Sequence, residues 1–532
     1  MKPFSLFQNK KINIQVWLLF SLVLFIFHTI ILIGIKTNVS YFNLLNMFFF
    51  KELSGLLKFD TMGISWLYIS SFIILFCQFI IFSKSYSNNT SSDLTKNRFG
   101  LNWVIVSQNI SYNWWILYLA IIHIALTFLF LTDNAIVFYI SFETTLLPFF
   151  LWIGEAALRS RRWHAAFFLT FFTLLGSIGM LWSIGILYKI NNSFVISEYI
   201  FSMQRTKESQ FDILWDMCRY GTPYTESCIT FLCDAELESS DRKSLWIAFI
   251  LFTFSFLIKF PVFPVAAWLP EAHVEASTEA SVLLAAVLLK VAPYGFFKLI
   301  IPTFHEWYIN YVSVLWIIGL FSALLYVISL LSQTDLKRAV AYTSIIHMSI
   351  MLCLLASASK TSLASAFLMG ALHSFCSAGL FCCIGYLYDK DKNKNVHYVS
   401  GIVDMRPIFS TFFLLFNLVN IGYPLIGSYI SESLLFVVST GSANHIYTGI
   451  IVLVLYFLTG AIFFMISKIL YRSWISNDVR KVLDLSIDEQ YSLLLLFLLC
   501  VLLGLFPSIY LNYIEDSLNL ISEMLYNHVQ YS

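Results

Sequence analysis

Apolar runs of about 20 residues recur along this chain from Trp17 to Leu511, and they constrain its fold more than any other feature. A helix needs about 20 apolar residues to cross the hydrocarbon core of a membrane. The 532 residues are 59% hydrophobic and 12% charged, whereas soluble domains are about 45–50% apolar and about 25% charged. The chain is therefore predicted to be an all-α polytopic membrane protein.

On this length rule we predict about thirteen transmembrane helices. Their expected ranges are 14–35, 62–83, 113–131, 134–154, 166–190, 244–268, 278–300, 313–332, 337–357, 361–386, 407–437, 447–470 and 490–512. Lys51, Glu52 and Lys58 interrupt the apolar segment 40–58, which we expect to be interfacial or re-entrant. Basic residues are more numerous in the loops on the N-terminal side, which predicts that this side faces the cytoplasm or the matrix.

Several classes of protein and site lack support in this sequence. The sequence has no basic face or stripe of the kind that binds nucleic acid. No glycine-rich nucleotide fingerprint or phosphate loop is present, and no C-x-x-C pair suggests zinc or an iron–sulfur cluster. Most of the nine cysteines lie in apolar runs and are expected to be buried hydrophobes. Cys218, Cys228 and Cys233 share the hydrophilic insert 191–243, where a disulfide is one alternative and a solvated insert that contacts neighbouring subunits is the other.

Two lysines, Lys259 and Lys290, lie inside runs that are otherwise apolar enough to cross a bilayer. A charge at the middle of a membrane helix costs about 2.5–3.5 kcal/mol even on insertion scales. Pro261 and Pro264 follow Lys259, and they break the helix because proline lacks an N–H donor. A broken membrane helix beside an ionisable group is typical of an ion path.

Glu143 lies well inside the apolar run DNAIVFYISFETTLLPFF. One interpretation is a structural hydrogen bond between helices. We favour a functional pair with Lys259, because unpaired charges are rare inside membranes. Burial disfavours a protonated lysine and a nearby carboxylate favours it, so movement of Glu143 would act as a switch that releases the proton of Lys259.

Three further residues are candidates for a proton relay. Lys290 could be a lysine that snorkels from a helix end, but Pro293 and YGFFKLII indicate that the helix continues past it. His347 and His373 lie near the middle of their spans, where a single histidine is usually structural. Two histidines between lysines and a carboxylate favour a relay, since histidine titrates near neutral pH. His28 and His123 are interpreted as structural.

Glu432 lies just after a second interrupted helix, which contains Gly422, Pro424 and Gly427. This break mirrors the one beside Lys259, and breaks at corresponding points of two halves indicate inverted repeats with an ion site at the midplane. We expect N-terminal helices in 1–112, repeats in 113–300 and 313–470, and a C-terminal helix and tail in 471–532.

The segments that carry these residues resemble the antiporter-like membrane subunits of respiratory complex I. They are FYISFETTLLP, IKFPVFPVAAWLPEAHVEA, LLAAVLLKVAPYGFFK, TDLKRAVAYTSIIHMS, ALHSFCSAGLF and GYPLIGSYISES, between about Phe138 and Phe436. Within that family the chain is most similar to the subunit 4 branch, because the sister subunits carry a lysine where this chain has Glu432.

The resemblance implies an antiporter-like fold with two inverted five-helix repeats, and a role in proton translocation coupled to electron transfer from NADH to ubiquinone. By position, Glu143 resembles the coupling carboxylate and Lys259 the central lysine. Lys290, His347 and His373 resemble the relay along the membrane axis, and Glu432 the residue that faces the exit.

The resemblance also implies that this chain holds no cofactor. NADH, FMN, iron–sulfur clusters and ubiquinone would be bound elsewhere in the complex. The implied partners are other membrane-arm subunits, including sister subunits, and lipids. The implied location is the mitochondrial inner membrane, with a bacterial plasma membrane as the alternative.

The chain departs from the family pattern after AHVEA, where Ser277 and Ala280 replace a proline and a glycine and Glu279 is additional. The sequence leaves two rival functions open. One is a subunit of a multi-subunit cation/proton antiporter, which would share Glu143, Lys259 and the broken helices. The other is a scaffold that keeps the fold and does not pump.

Overall fold

The computed structural model describes residues 21–23, 25, 26, 29, 60–95, 102–156, 161–200, 226–391, 395, 396, 401–424, 426–441, 445–471 and 484–531. This part of the chain is almost entirely helical. Its helices from the first long one to the second break are α1 Thr61–Thr95, α2 Asn102–Leu131, α3 Ala135–Thr144, α4 Leu146–Ala156, α5 Arg161–Asn191, α6 Glu226–Lys259, α7 Trp268–Glu275, α8 Thr278–Ala286, α9 Val291–Gly295, α10 Ile301–Thr303, α11 His305–Asn310, α12 Val312–Leu331, α13 Leu336–Ala356, α14 Lys360–Asp391, α15 Ile402–Met405 and α16 Pro407–Ile421. The remaining helices are α17 Tyr429–Gly441, α18 His445–Leu470, α19 Ile487–Leu505 and α20 Pro507–Tyr531.

Within the described residues, 10 helical segments are long and apolar enough to cross a membrane. They support the prediction of a polytopic helical membrane protein. The number thirteen stays a prediction, because most of the expected span 14–35 and the whole segment 40–58 lie outside the described residues. Two shorter apolar helices, Pro407–Ile421 and Tyr429–Thr440, follow one another across the second break.

Three predicted spans have the wrong boundaries. The span 244–268 ends at Lys259, where Pro261 and Pro264 remove backbone donors, and α7 follows as a separate helix. The span 407–437 is divided into α16 and α17, because the chain adopts a left-handed conformation at Gly422. The span 490–512 ends at Leu505, since proline at 507 is accepted at the start of α20 rather than in the interior of a continuing helix.

The insert 191–243 is also shorter than predicted, because its residues from 226 onward belong to α6. Good helix formers such as glutamate, leucine and alanine are frequent there and extend the helix beyond its apolar part. The proposed disulfide among Cys218, Cys228 and Cys233 lies outside the side chains that the structure describes. Six cysteines have side chains that the structure describes, and all are free and buried, which confirms the interpretation of the cysteines in the spans: Cys77, Cys353, Cys376, Cys382, Cys383 and Cys500.

Three spans form the centre of the bundle. The irregular span Thr278–Thr303 and the apolar part of α14 are surrounded by protein, and α13 is almost as deeply buried. Helices α5, α18 and α19 lie at the periphery, where apolar side chains such as Trp182, Tyr456 and Leu502 are exposed. A bilayer would cover these apolar faces, so the polar residues on the central spans are separated from lipid by a layer of helices.

Candidate functional site

The first break, between the end of α6 at Lys259 and the start of α7 at Trp268, leaves backbone polar groups without helical partners. Nearby residues supply hydrogen bonds to these groups. Helix α6 ends at Lys259, and Pro261 cannot continue it. The indole N–H of Trp268 donates a hydrogen bond to the carbonyl oxygen of Ile258 at 3.0 Å, and the N–H of Phe263 donates to the hydroxyl of Ser322 at 2.9 Å. These bonds stabilise an interruption of the helix beside a buried lysine.

Lys259 is almost completely buried and lies against Phe142. Its Nζ is 3.0 Å from the centroid of the Phe142 ring and 3.4 Å from the Phe142 carbonyl oxygen. An aromatic face attracts a cation through its quadrupole, so this ring partly compensates for the lost solvation of the amine. The lysine therefore has a tolerable resting position without a direct contact to a carboxylate.

Glu143 is the next residue along α3 and interacts electrostatically with Lys259. The two do not form an ion pair within 4.0 Å, although the side chains of both are described. The Oε1 atom of Glu143 is buried and accepts no hydrogen bond from any residue that the structure describes. The structure thus places the two predicted partners within electrostatic reach of each other without joining them in an ion pair.

Lys290 does not snorkel, because its amine is held in the interior of the bundle. The residue lies in a 3₁₀ turn, Leu288–Lys290, which interrupts the central span. Its Nζ donates to the carbonyl oxygen of Ala285 at 2.6 Å and lies 2.7 Å from Nδ1 of His373. When Lys290 is protonated, its ammonium group can only donate, so Nδ1 of His373 is then the acceptor.

His347 and Glu432 extend this contact into a row. The ring centroids of His373 and His347 are 5.5 Å apart, and Nδ1 of His347 is 3.9 Å from Oε1 of Glu432. Neither ring nitrogen of His347 forms a hydrogen bond of good geometry with a described residue, although Asn420 of α16 lies beside the ring as a polar neighbour. Four of the six predicted residues therefore form one contiguous buried row from Lys290 to Glu432.

The second break positions Glu432 in the first turn of α17. Gly422 and Gly427 adopt left-handed conformations, with φ of +75° and +60°, that side chains rarely adopt. A Cβ atom at Gly422 would collide with the carboxylate of Glu432. The hydroxyl of Ser428 donates to Oε1 of Glu432 at 2.7 Å. The glycines thus make room for the carboxylate, and the serine orients it.

His273 is a candidate that the sequence reasoning missed. It is fully buried in α7, and its ring stacks on Phe381 with a centroid distance of 4.4 Å. Neither of its ring nitrogens has a hydrogen-bond partner in the described part of the chain. It also interacts electrostatically with Lys290 and Lys337.

The sequence contained a signal for His273, because this histidine lies between the two intramembrane lysines along the chain. The motif AHVEA that contains it carried only the family resemblance. His123, which was interpreted as structural, is buried in α2, and His28 lies outside the described residues.

Comparison with known proteins gives matches over most of the chain. Residues 132–459 match the family model described as "NADH:quinone oxidoreductase/Mrp antiporter, TM". A protein of Marchantia polymorpha named NADH-ubiquinone oxidoreductase chain 4 is 30% identical over 388 residues, which cover 73% of this chain and 70% of the relative. A protein of the same name from Chondrus crispus is 28% identical over 510 residues, which cover 96% of this chain and 92% of the relative.

Two solved structures are similar in fold along nearly their whole length. A chain of respiratory complex I from Thermus thermophilus with bound NADH has a TM-score of 0.71 and 19% identity, with 96% of this chain and 99% of that chain covered. A chain of the Mrp complex from a Dietzia species has a TM-score of 0.67 and 14% identity, with 98% and 100% covered.

Proposed function

This chain belongs to the family of NADH:quinone oxidoreductase and Mrp antiporter membrane subunits, and we propose that it is chain 4 of NADH:ubiquinone oxidoreductase, a proton-translocating subunit of the mitochondrial inner membrane. The ubiquinone-reducing complex is favoured over an antiporter because the relatives that match at 30% identity carry the chain 4 name. Other membrane-arm subunits are its partners in this proposal. The flavin, the iron–sulfur clusters and the quinone site belong to those partners, and this chain supplies no redox centre.

The observation that carries the proposal is the buried row Lys290, His373, His347 and Glu432. Each member can hold a proton, and the row runs through the interior of the bundle with one direct contact of 2.7 Å and one approach of 3.9 Å. Titratable residues inside a membrane are rare, and where they line up they mark ion paths or proton relays. A scaffold that only keeps the fold has no use for four such residues.

The first half of the proposed cycle occurs at Lys259. A rearrangement that brings Glu143 into contact with Lys259 stabilises the protonated amine, and withdrawal of Glu143 leaves the amine against the ring of Phe142, where it loses its proton more readily. Moving one charge against 100 mV takes about 2.3 kcal/mol. A change of two pKa units is worth about 2.7 kcal/mol, so making and breaking one such pair is on the scale of one transported proton.

In the second half, Lys290 transfers a proton to Nδ1 of His373, and the proton passes through His347 to Glu432. The 3.9 Å gap between His347 and Glu432 exceeds the reach of a hydrogen bond. A shift of about 1 Å or one bridging water is enough to close it. His273 interacts electrostatically with Lys290 and is the proposed link toward Lys259.

Two inverted repeats, 113–300 and 313–470, are part of this proposal. An isolated β-bridge joins Asn134 to Val195 in the first repeat and Asp335 to Asn395 in the second. Both Asn134 and Asp335 are N-cap residues of a helix, α3 and α13 respectively. In both halves a β-bridge starts from the N-cap residue of a helix and ends at a similar distance along the chain. This recurrence supports the division into repeats.

The experiment that tests the identity is purification of the native complex, with an assay of NADH:ubiquinone activity and identification of subunits by mass spectrometry. We expect the chain to migrate with the NADH-oxidising activity and with flavin and iron–sulfur subunits. Migration with antiporter-type subunits alone would replace the proposal with a cation/proton antiporter, for which the same buried residues would serve ion exchange.

A further inference from the structure

An ion-pair cluster lies outside the row, at the end of the bundle where α8 begins. Lys84 of α1 forms ion pairs of 2.8 Å with Glu279 and of 2.8 Å with Asp389, and its Nζ donates to the hydroxyl of Thr278 at 2.7 Å. Glu279, the additional acidic residue of the sequence, is 1% exposed. It also lies in the first turn of α8, where a helix favours negative charge. This end of the central span is therefore firmly attached to α1.

A second ion pair attaches the same two spans at the opposite end of the bundle. Lys298 pairs with Asp60 at 3.2 Å, and Asp60 directly precedes α1. At the same end, the hydroxyl of Tyr294 donates to the carbonyl oxygen of Phe130 at 2.7 Å and so attaches the central span to α2 as well. The two ion pairs have opposite directions. The central span contributes the acid, Glu279, at one end and the base, Lys298, at the other.

Between these two attachments the backbone of the central span is irregular. Helix α8 ends at Ala286, Leu288–Lys290 is a 3₁₀ turn, α9 follows, and Phe296–Ile300 is a π-helical turn. A regular helix from Glu279 to Lys298 would rise about 28 Å at 1.5 Å per residue, close to the ~30 Å thickness of a hydrocarbon core. A segment with interrupted helical bonding is easily lengthened or twisted, so its geometry depends on what holds its ends.

We propose that α1 is a strut that positions Lys290. The ion pairs Lys84–Glu279 and Lys298–Asp60 hold both ends of the irregular span against one continuous helix, and this fixes the turn that presents the amine of Lys290 to His373. The four charged residues are positioning residues and carry no proton of the relay. The inference rests on the proposed function for its consequence in pumping, whereas the strut itself is a statement about structure.

Hydrogen–deuterium exchange of the assembled complex measures the strut independently of pumping. In Glu279→Gln we expect the amides of residues 285–291 to exchange about tenfold faster, since an ion pair that restrains the turn is lost. The double variant Lys84→Met/Glu279→Gln is expected to give the same increase. The double variant removes both charges of the Lys84–Glu279 pair and leaves only Asp389, whose side chain is 39% exposed, without its partner, so it keeps the test available if the single variant does not assemble. Lys298→Met should loosen the same amides from the other end.

The matched control is Lys390→Met, which removes the 2.6 Å pair Lys390–Glu489 at the end of α14. Its exchange at residues 285–291 should equal that of the unmodified complex. Unchanged exchange in the double variant, or an equal increase in the control, would overturn the strut.

Proton yield per electron separates this inference from the proposed function. Glu279→Gln should lower the yield, and it should lower it no further when combined with Lys290→Met, because it acts through Lys290. A full yield in Lys290→Met alone contradicts the proposed function, and the exchange data still decide the strut. A reduced yield in Lys290→Met together with a full yield in Glu279→Gln would contradict the positioning role of Glu279. The proposed relay would remain supported.

Discussion

The two breaks of the bundle hold opposite charges at opposite helix ends. Lys259 is the last residue of α6, and Glu432 lies in the first turn of α17. The partial charge at a helix C-terminus is negative and that at an N-terminus is positive, so each break favours the charge that it carries. Prolines interrupt the first helix, and glycines with positive φ interrupt the second. Different residues thus produce the same arrangement, an interrupted helix with a charged residue at its end, and the sign of the charge and the helix end are both reversed.

The surroundings of the two charges differ in a way that matters for the mechanism. The amine of Lys259 lies over an aromatic ring and has no direct contact with Glu143. The carboxylate of Glu432 accepts a hydrogen bond from Ser428 and faces His347. Lys259 at the first break can therefore gain or lose a carboxylate partner, whereas Glu432 at the second break already lies next to the row of histidines.

Removal of the charge at the first break should have the largest effect. Lys259→Ala deletes the group that gains and loses a partner, and we expect coupled NADH:ubiquinone turnover to fall about tenfold or more. Turnover in isolated membranes measures this. Lys189→Ala, at an exposed lysine near the end of α5, is the control and should retain full turnover. Normal turnover in both variants would mean that the first break has no role in coupling.

Removal of the charge at the second break is the next test. Glu432→Gln keeps the shape and the hydrogen bond with Ser428 and loses the capacity to hold a proton, so turnover should fall about fivefold to tenfold. Glu515→Gln, at an exposed carboxylate paired with Lys360, is the matched control. If both variants behave alike, the second break carries no proton.

His373 tests the connection between Lys290 and the second break. Glutamine at this position can still accept the hydrogen bond from Lys290 and cannot take up a proton, so His373→Gln should lower turnover about threefold to fivefold. His164→Gln changes an exposed histidine of α5 and should have no effect. Retention of activity in His373→Gln would indicate that the histidine only holds Lys290 in place.

The glycine at the second break should affect stability more than mechanism. Gly422→Ala places a Cβ against the carboxylate of Glu432 at a φ of +75°, which costs about 1–3 kcal/mol. A lower midpoint of thermal unfolding of the purified complex measures this cost. Gly449→Ala, at a helical glycine with open space around it, should leave the midpoint unchanged or raise it. Equal midpoints in the two variants would argue against close packing at Gly422.

The smallest effect is expected at the hydrogen bond that satisfies the first break. Trp268→Phe removes the donor to the Ile258 carbonyl, at a cost of about 1 kcal/mol. The same thermal measurement applies, with Trp163→Phe on the exposed surface of α5 as the control. A midpoint equal to that of the control would show that another donor replaces the indole.

Local chemistry made part of this architecture predictable. Prolines after Lys259 and glycines before Glu432 interrupt helices wherever they occur, so both breaks followed from the sequence. Helix ends were less accessible, because α6 extends into polar sequence back to Glu226 and the chain resumes as α20 after Leu505.

Long-range partners could not be predicted. The contacts of Lys290 with His373 and of Lys84 with Glu279 join residues far apart in the chain, and only packing decides such pairs. His273 escaped notice because one buried histidine in an apolar helix looks structural until its neighbours are known. The roles of all these residues stay predictions until they are measured.

The ratio of protons moved to electrons transferred tests the central claim most directly. The measurement uses the purified complex in sealed vesicles, with Lys259→Ala compared with Lys189→Ala. The proposed relay predicts a lower ratio in Lys259→Ala than in the control, with the complex fully assembled in both. An unchanged ratio in an assembled Lys259→Ala complex would contradict the relay and would make this chain a scaffold that has kept the fold.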